Sequence, residues 1–454
     1  MTDKVSVDLG TEPISKLIIR QSVPASIGVL VMSLNVLVDT FFVGNWIGSI
    51  AIAAINIVLP VSFFIAALGM SIGIGGSSII SRALGAKNKE KALDTFGNQI
   101  ALTLILITVF VCLGLFFADE IILAFGGKGA IFNPAKVYYT IVLYGVPFLG
   151  LSMVGNNVIR AEGNPKFAMY AMMIPAFGNL IFDYILINLL DQGMAGAAWA
   201  TTGSNVLGFL YVFWYFFLNN KTVLKINWSY LRLKGHVISE IASLGFVTLA
   251  RQAVVSVMYL FMNNILFDIG GEVSVTAYAI VGRMLMFALF PVLGVTQGFL
   301  PIAGYNYGAE QYGRVRLSIN TAIKYAAILA TIIFVLLMSF PESITRMFTQ
   351  DPEVLKETPY AMRWVFAATP IIALQLIGAA YFQAIGKAKP ALFLTLTRQG
   401  FFFIPLILIL PKFYGELGVW MSFPISDVLS TIVTGYFLRR EIKTDLIKKS
   451  TITT

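Results

Sequence analysis

A constant offset of 223 residues lays the first half of this chain over the second without a gap. Gly48 falls on Gly271, Gly75 on Gly298, Gly85-Ala86 on Gly308-Ala309, Pro147 on Pro370, Gly155 on Gly378 and Gly163 on Gly386. Both halves consist of long apolar runs, so the chain has to fold as two copies of one helical bundle. Runs of the roughly 17 to 25 residues that cross a bilayer as helix fall near 17–45, 51–80, 97–118, 138–158, 167–190 and 194–217. Six more fall near 240–267, 275–302, 317–339, 360–384, 390–411 and 415–438. Six is even, so the second copy enters with the orientation of the first, and the repeats are parallel about an axis along the membrane normal. The expected fold is an all-α integral membrane protein of twelve transmembrane helices. It divides into an N-lobe (1–220), a connector (221–239) and a C-lobe with a tail (240–454).

Composition bounds the function. With 57% apolar and only 12% charged residues, the chain lies far from the soluble average of roughly 25% charged. Counted over the short loops, 22 Lys and Arg lie on one side of the spans and 6 on the other. By the positive-inside rule both termini are expected in the cytoplasm. The same loops account for the net charge of +9, so a nucleic-acid partner is not needed to explain it. No cleavable signal is read, because the first fifteen residues are polar and no short apolar core with a small-residue site follows. One cysteine, Cys112, and one histidine, His236, argue against a disulfide framework, a His/Cys metal site and a catalytic constellation. Cys112 reads as a small core residue and His236 as a solvated loop residue. A two-lobed membrane protein without catalytic groups is expected to be a transporter, with its substrate site near the midplane.

The chemistry then rests on the few ionisable groups inside spans, where a central charge costs about 2.5 to 3.5 kcal/mol by insertion scales. Asp39 in LNVLVDTFFVG and Asp183 in FGNLIFDYILI fall at similar depth in the outer half of one lobe. Asn35 precedes Asp39 by four residues and Asn179 precedes Asp183 by four, which sets amide and carboxyl on one helical face. An amide donates to a carboxylate or accepts from a carboxylic acid, so each pair is expected to hold either charge state. Apolar surroundings and a neighbouring acid favour a proton on at least one of the two. The bland reading is that the aspartates are hydrogen-bond acceptors between helices. Asn156, Asn157, Tyr138, Thr201 and Thr202 are candidates for lining the same cavity.

The second half does not repeat this pair: Met262 stands at the position of Asp39 and Leu406 at that of Asp183. Its in-span acid, Asp427, is expected to neutralise Arg283 or Arg398 as a structural ion pair. Met172, Met173, Met258, Met262, Met284 and Met286 are candidates for an adaptable apolar surface.

The runs VDTFFVGNWIGSIAIAAINIVLPV, GIGGSSIISRALGAKNKEKA, IRAEGNPKFAMYAMMIPAFGNLIFDYIL and LPIAGYNYGAEQYGRVR resemble the multidrug and toxic compound extrusion (MATE) family, and the similarity covers essentially the whole chain. The resemblance implies two six-helix bundles arranged as a V. It implies an antiporter that exports bulky, often cationic and aromatic compounds by alternating access, driven by inward protons or sodium. Asp39 and Asp183 match the family's acids on the first and fifth helices of proton-coupled members. Asn179, Asn156, Tyr138 and Thr201 match the accompanying polar set, and Pro24 matches a proline at which the first helix bends. The chain departs from the sodium-coupled pattern, because its seventh span has Arg251 and Gln252 and its tenth has Gln375 where acids are expected. The expected coupling ion is therefore a proton, with sodium as the alternative, and no cofactor or metal is expected. Expected partners are small-molecule drugs or organic cations and membrane lipids, and the expected state is a monomer. The alternative function is a lipid-linked saccharide flippase, for which Arg251, Arg283 and Arg398 supply cationic groups.

Overall fold

The computed structural model describes residues 3–447. Among them there is no strand, as expected of a chain that must satisfy its backbone inside a bilayer. Ten stretches are long and apolar enough to cross a membrane. One of these, Gly235–Gly308, is two helices merged across Gly271 (φ 61°, ψ −150°), and Gly193–Phe213 adds a further helix. The twelve are α1 (Ile14–Trp46), α2 (Ser49–Gly85), α3 (Lys89–Phe116) and α4 (Phe132–Ala161). Then come α5 (Pro165–Asp183), prolonged in π geometry over Tyr184–Leu189, and α6 (Gly193–Phe213), prolonged over Trp214–Leu218. The second set is α7 (235–270), α8 (272–308), α9 (Tyr312–Ser339), α10 (Pro352–Ala384), α11 (Ala388–Tyr414) and α12 (Glu416–Ile447).

The duplication is visible in the backbone. Gly48 and Gly271 both carry positive φ (115° and 61°) at the break between the first and second helix of each half. This conformation is open to glycine at no steric cost. Lys87 and Glu310, also 223 apart, share a left-handed φ of 57° and 59°. A short helix follows the third helix of each half, Ala118–Ala124 in one and Pro341–Arg346 in the other.

By contact the described chain forms two units, one of residues 3–9 and Ile27–Thr248, the other of Gly10–Ser26 and 249–447. The boundaries of these units fall inside α1 and α7. The start of α1 packs in the second unit, where a Cβ on Gly298 would strike the backbone of Ser22. Its counterpart, the start of α7, packs in the first unit, where a Cβ on Gly75 would strike Ile241 O and Gly245. Ser22 and Gly245 are again 223 apart, so the exchange of helix starts is itself part of the repeat. Pro24 lies inside a continuous helix, two residues before the unit boundary at Ser26, and it has no backbone N–H to contribute there.

The connector is docked on the first unit. Buried Glu162 accepts from Tyr215 Oη (2.8 Å), Thr222 Oγ1 (2.7 Å), Val223 N (3.1 Å) and Leu224 N (2.8 Å). Lys234 pairs with Asp94 at 2.6 Å, and its backbone N–H donates to Asn98. Burial pushes the Glu162 carboxyl up to about 7 in spite of these four donors. Lys448, Lys449 and the end of the expected tail lie outside the described residues.

Candidate functional site

The two acids of the first unit lie on α1 and α5. Asp183 closes the regular part of α5 just before the π segment and is fully buried, while Asp39 on α1 is half-buried. Their carboxyl groups lie within hydrogen-bonding reach of each other. Apart from Asp39, neither Asp183 oxygen has a hydrogen-bonding partner among the described residues. Two carboxylates are acceptors only, so a bond between them requires a proton on one.

The amides do not hold the acids as the four-residue spacing suggested. Asn35 Nδ2 donates instead to Asn179 Oδ1 (2.8 Å) and to Ala176 O (3.1 Å). This clamp ties α1 to α5 one turn below the acids, and spacing along one helix gives no sign of it. A cavity of about 260 Å³ adjoins Asp39, lined by Asn35, Asn179, Tyr138 and Thr201. Tyr138 Oη lies 3.4 Å from Thr201 Oγ1. No Lys or Arg lines the cavity. Asn56 on α2 and Ser204 and Asn205 on α6 line it too, and the sequence reading missed them. Their signal was a polar residue in an apolar span, as in AINIVLPV and GSNVLG.

Several expectations are corrected. Asn156 is outside the cavity lining: it donates to Ala168 O (2.5 Å) and accepts from Arg160 Nη2 (2.9 Å), bracing α4 to α5. Asn157 and Thr202 turn to the backbone, donating to Met153 O and Ile141 O. Cys112 is exposed and not a core residue. Among the methionines named above, Met172 lines the cavity, Met258 and Met262 are buried in the second unit's core, and Met286 is exposed.

In the second unit Asp427 is buried and paired with Arg398 (Nε to Oδ1, 2.6 Å). Arg283 is exposed and makes no ion pair among the described residues. The choice between the two arginines is thus made by the packing of α11 on α12.

A bundle duplicated about a glycine-marked break, with an acid pair in one copy and an ion pair in the other, defines a two-lobed membrane transporter. The MatE family model matches the chain twice, over 24–185 and 248–409, and the chain belongs to that family of multidrug efflux transporters. The multidrug export protein MepA of Staphylococcus aureus (strain N315) is 26% identical over 438 residues, covering 95% of this chain and 96% of MepA. An outward-facing multidrug resistance MATE transporter of the MOP superfamily superposes with a TM-score of 0.92 at 27% identity, covering 98% of this chain and 99% of that one. A MOP superfamily transporter from Pyrococcus furiosus, described as having a binding pocket of reverse polarity that suggests a different function, superposes with a TM-score of 0.90. It is also 27% identical, covering 96% of this chain and 98% of that one.

Proposed function

We propose that this protein is a secondary active antiporter that exports amphipathic organic cations in exchange for protons, with Asp39 and Asp183 as the coupling pair. The observation that carries the reading is that Asp39 borders a cavity lined by no Lys or Arg and has Asp183 as its neighbour. Adjacent acids without a counter-ion favour taking up one proton between them. When both are ionised, the site attracts an organic cation. Proton entry removes that attraction, the cation leaves, and the proton departs on the cytoplasmic side after the site changes its access. A cavity of about 260 Å³ is smaller than the roughly 300 to 1,000 Å³ of drug pockets, which suits a coupling site that holds an ion and one end of a substrate. Sodium is the second candidate ion, since Asp39, Asp183, Tyr138 and Thr201 offer hard oxygen donors.

The setting we propose is the bacterial plasma membrane, with both termini cytoplasmic and the protein acting as a monomer without cofactor. The saccharide-lipid alternative is weakened because Arg398 is already neutralised by Asp427.

Ethidium efflux from proteoliposomes tests the reading. A pH gradient alone drives export by the intact protein and fails to do so for Asp39→Asn. Export driven by sodium alone replaces the ion and keeps the site, whereas no export under either gradient defeats the proposal.

A further inference from the structure

One buried charge in the first unit is not used by the acid pair. Arg160 falls past the fourth apolar run, where the sequence places it with the loop cations, yet in the structure it is only 5% exposed. Its Nη2 donates to Asn156 Oδ1 (2.9 Å) and to Met172 Sδ (3.6 Å), both neutral, and its Nε is buried with no hydrogen-bonding partner. It makes no ion pair among the described residues. The acid two residues on, Glu162, is turned to the connector and satisfied there by four donors. A guanidinium buried without a counter-ion is costly, and in a membrane protein such a charge is functional by default.

Its place relative to the acid cavity supplies the function. The cavity lining runs along α5 from Met172 to Asn179 and along α1 from Met32 to Val43. Met172 is thus the lining residue of α5 nearest the loop that holds the connector. Its Sδ is hemmed in from α1 at Gly28, where a Cβ would come within 2.8 Å of it, and from α4 by the Arg160 guanidinium. Gly28, Met172 and Arg160 together make a floor. Arg160 itself does not line the cavity, so it acts on the site across the methionine and not as a contact for substrate.

From this arrangement we infer that Arg160 is an electrostatic barrier that keeps the coupling cation from slipping through the floor of the cavity, so that the ion leaves only when the site changes its access. The inference rests on the ion-coupled reading above. A fixed positive charge in low-dielectric surroundings repels protons and small cations and does not bar anions, as arginines beside narrow pores do. Met172 closes the floor sterically, and Arg160 sets the sign of what the floor excludes. Leakage past the acids would dissipate the gradient without moving substrate.

The test is the decay of an imposed pH gradient in proteoliposomes of the full-length protein without substrate, read by internal pyranine with the potential clamped by valinomycin and potassium. The intact protein is expected to hold the gradient as well as protein-free vesicles do. Arg160→Met, which keeps an unbranched side chain and removes the charge, is expected to dissipate it at least about tenfold faster, the scale of one charge taken out of an apolar barrier. Arg160→Lys retains the charge and stays tight. Iodide entry into the same vesicles does not rise in Arg160→Met, because a charge barrier discriminates by sign. A leak that passes anions as well is loosened packing and overturns the proposal. So does a gradient held by Arg160→Met, which reduces Arg160 to a brace for Asn156. Removing Arg160 strands no carboxylate, so the variant is expected to fold; should it not elute as a single peak, Arg160→Gln, which can still donate to Asn156, takes its place. Ethidium efflux separates this inference from the reading it rests on. An intact protein that does not export under a pH gradient defeats proton coupling, whereas one that exports while Arg160→Met holds its gradient defeats only the barrier.

Discussion

The two units share a backbone plan and differ in what they do with buried charge. Both break at a left-handed glycine, Gly48 and Gly271, turn through a left-handed residue at Lys87 and Glu310, and close with a short helix after the third span. In the first unit Asp183 is fully buried and meets only another acid. In the second, Asp427 is equally buried but meets Arg398 at 2.6 Å. A charge with a fixed counter-ion stays put, whereas an acid facing an acid changes with whatever ion it can take up. The two copies thus share a scaffold, with an acid pair in one and an ion pair in the other.

The comparison is broken most decisively at Asp183. Asp183→Asn is expected to abolish export driven by a pH gradient, measured as ethidium efflux from proteoliposomes, while the protein still folds. Full proton-driven efflux in that variant would falsify the division of labour. Asp427→Asn is expected to act on stability instead, because it leaves Arg398 buried and unpaired at a cost of about 3 to 5 kcal/mol. Thermal unfolding in detergent reads this loss. The paired replacement Arg398→Met with Asp427→Leu recovers most of it with coupling intact, and a pair that folds but loses proton coupling shows that the second unit carries ions too.

A third contrast lies at the ends of the units. Glu162, pushed up to about 7 chiefly by burial, binds a proton more readily in the folded protein than in the unfolded chain. Its contribution is therefore complete below about 4.5 and lost as the pH rises through about 7, worth about 3 kcal/mol at 1.36 kcal/mol per unit. Its opposite number is Lys387, which pairs with Glu441 and Asp445 at 2.6 Å each. Burial pulls Lys387 down, but Asp445 and Glu441 more than offset this and hold it above its usual value, so its contribution persists until the pH exceeds about 10.5. Amide exchange between pH 5 and pH 8, corrected for intrinsic rates, should show protection of Val223 and Leu224 falling while the 442–447 segment is unchanged. Equal behaviour of the two segments removes Glu162 as the anchor. The smallest effect is expected at Asn35. Asn35→Ala removes the clamp to Asn179 and costs about 1 kcal/mol, visible as a modest loss of thermal stability with proton coupling retained.

How far the sequence reached differs along the chain. The break at Gly271, buried inside a 74-residue stretch, was placed by its match to Gly48. Asp39 and Asp183 stood out because an acid in an apolar span needs a reason. Their partners were less legible. The spacing of Asn35 and Asn179 put each amide on its own helix's acid face, yet the rotations of α1 and α5 turned the amides toward each other. Asn156 looked like a cavity residue and serves as a brace. Asn56, Ser204 and Asn205 reach the cavity from helices whose facing the sequence did not give.

What the sequence determined by itself was therefore the number of helices, the duplication and the residues whose charge needs an explanation. Those follow from hydrophobic length and constant offset, which act along the chain. Only the tertiary structure decided which helix starts are exchanged between units, which arginine meets Asp427, and that the two acids are neighbours. Each of these depends on the rotation of one helix against another, set by close packing at positions such as Gly75 and Gly298, which periodicity within a single helix does not specify.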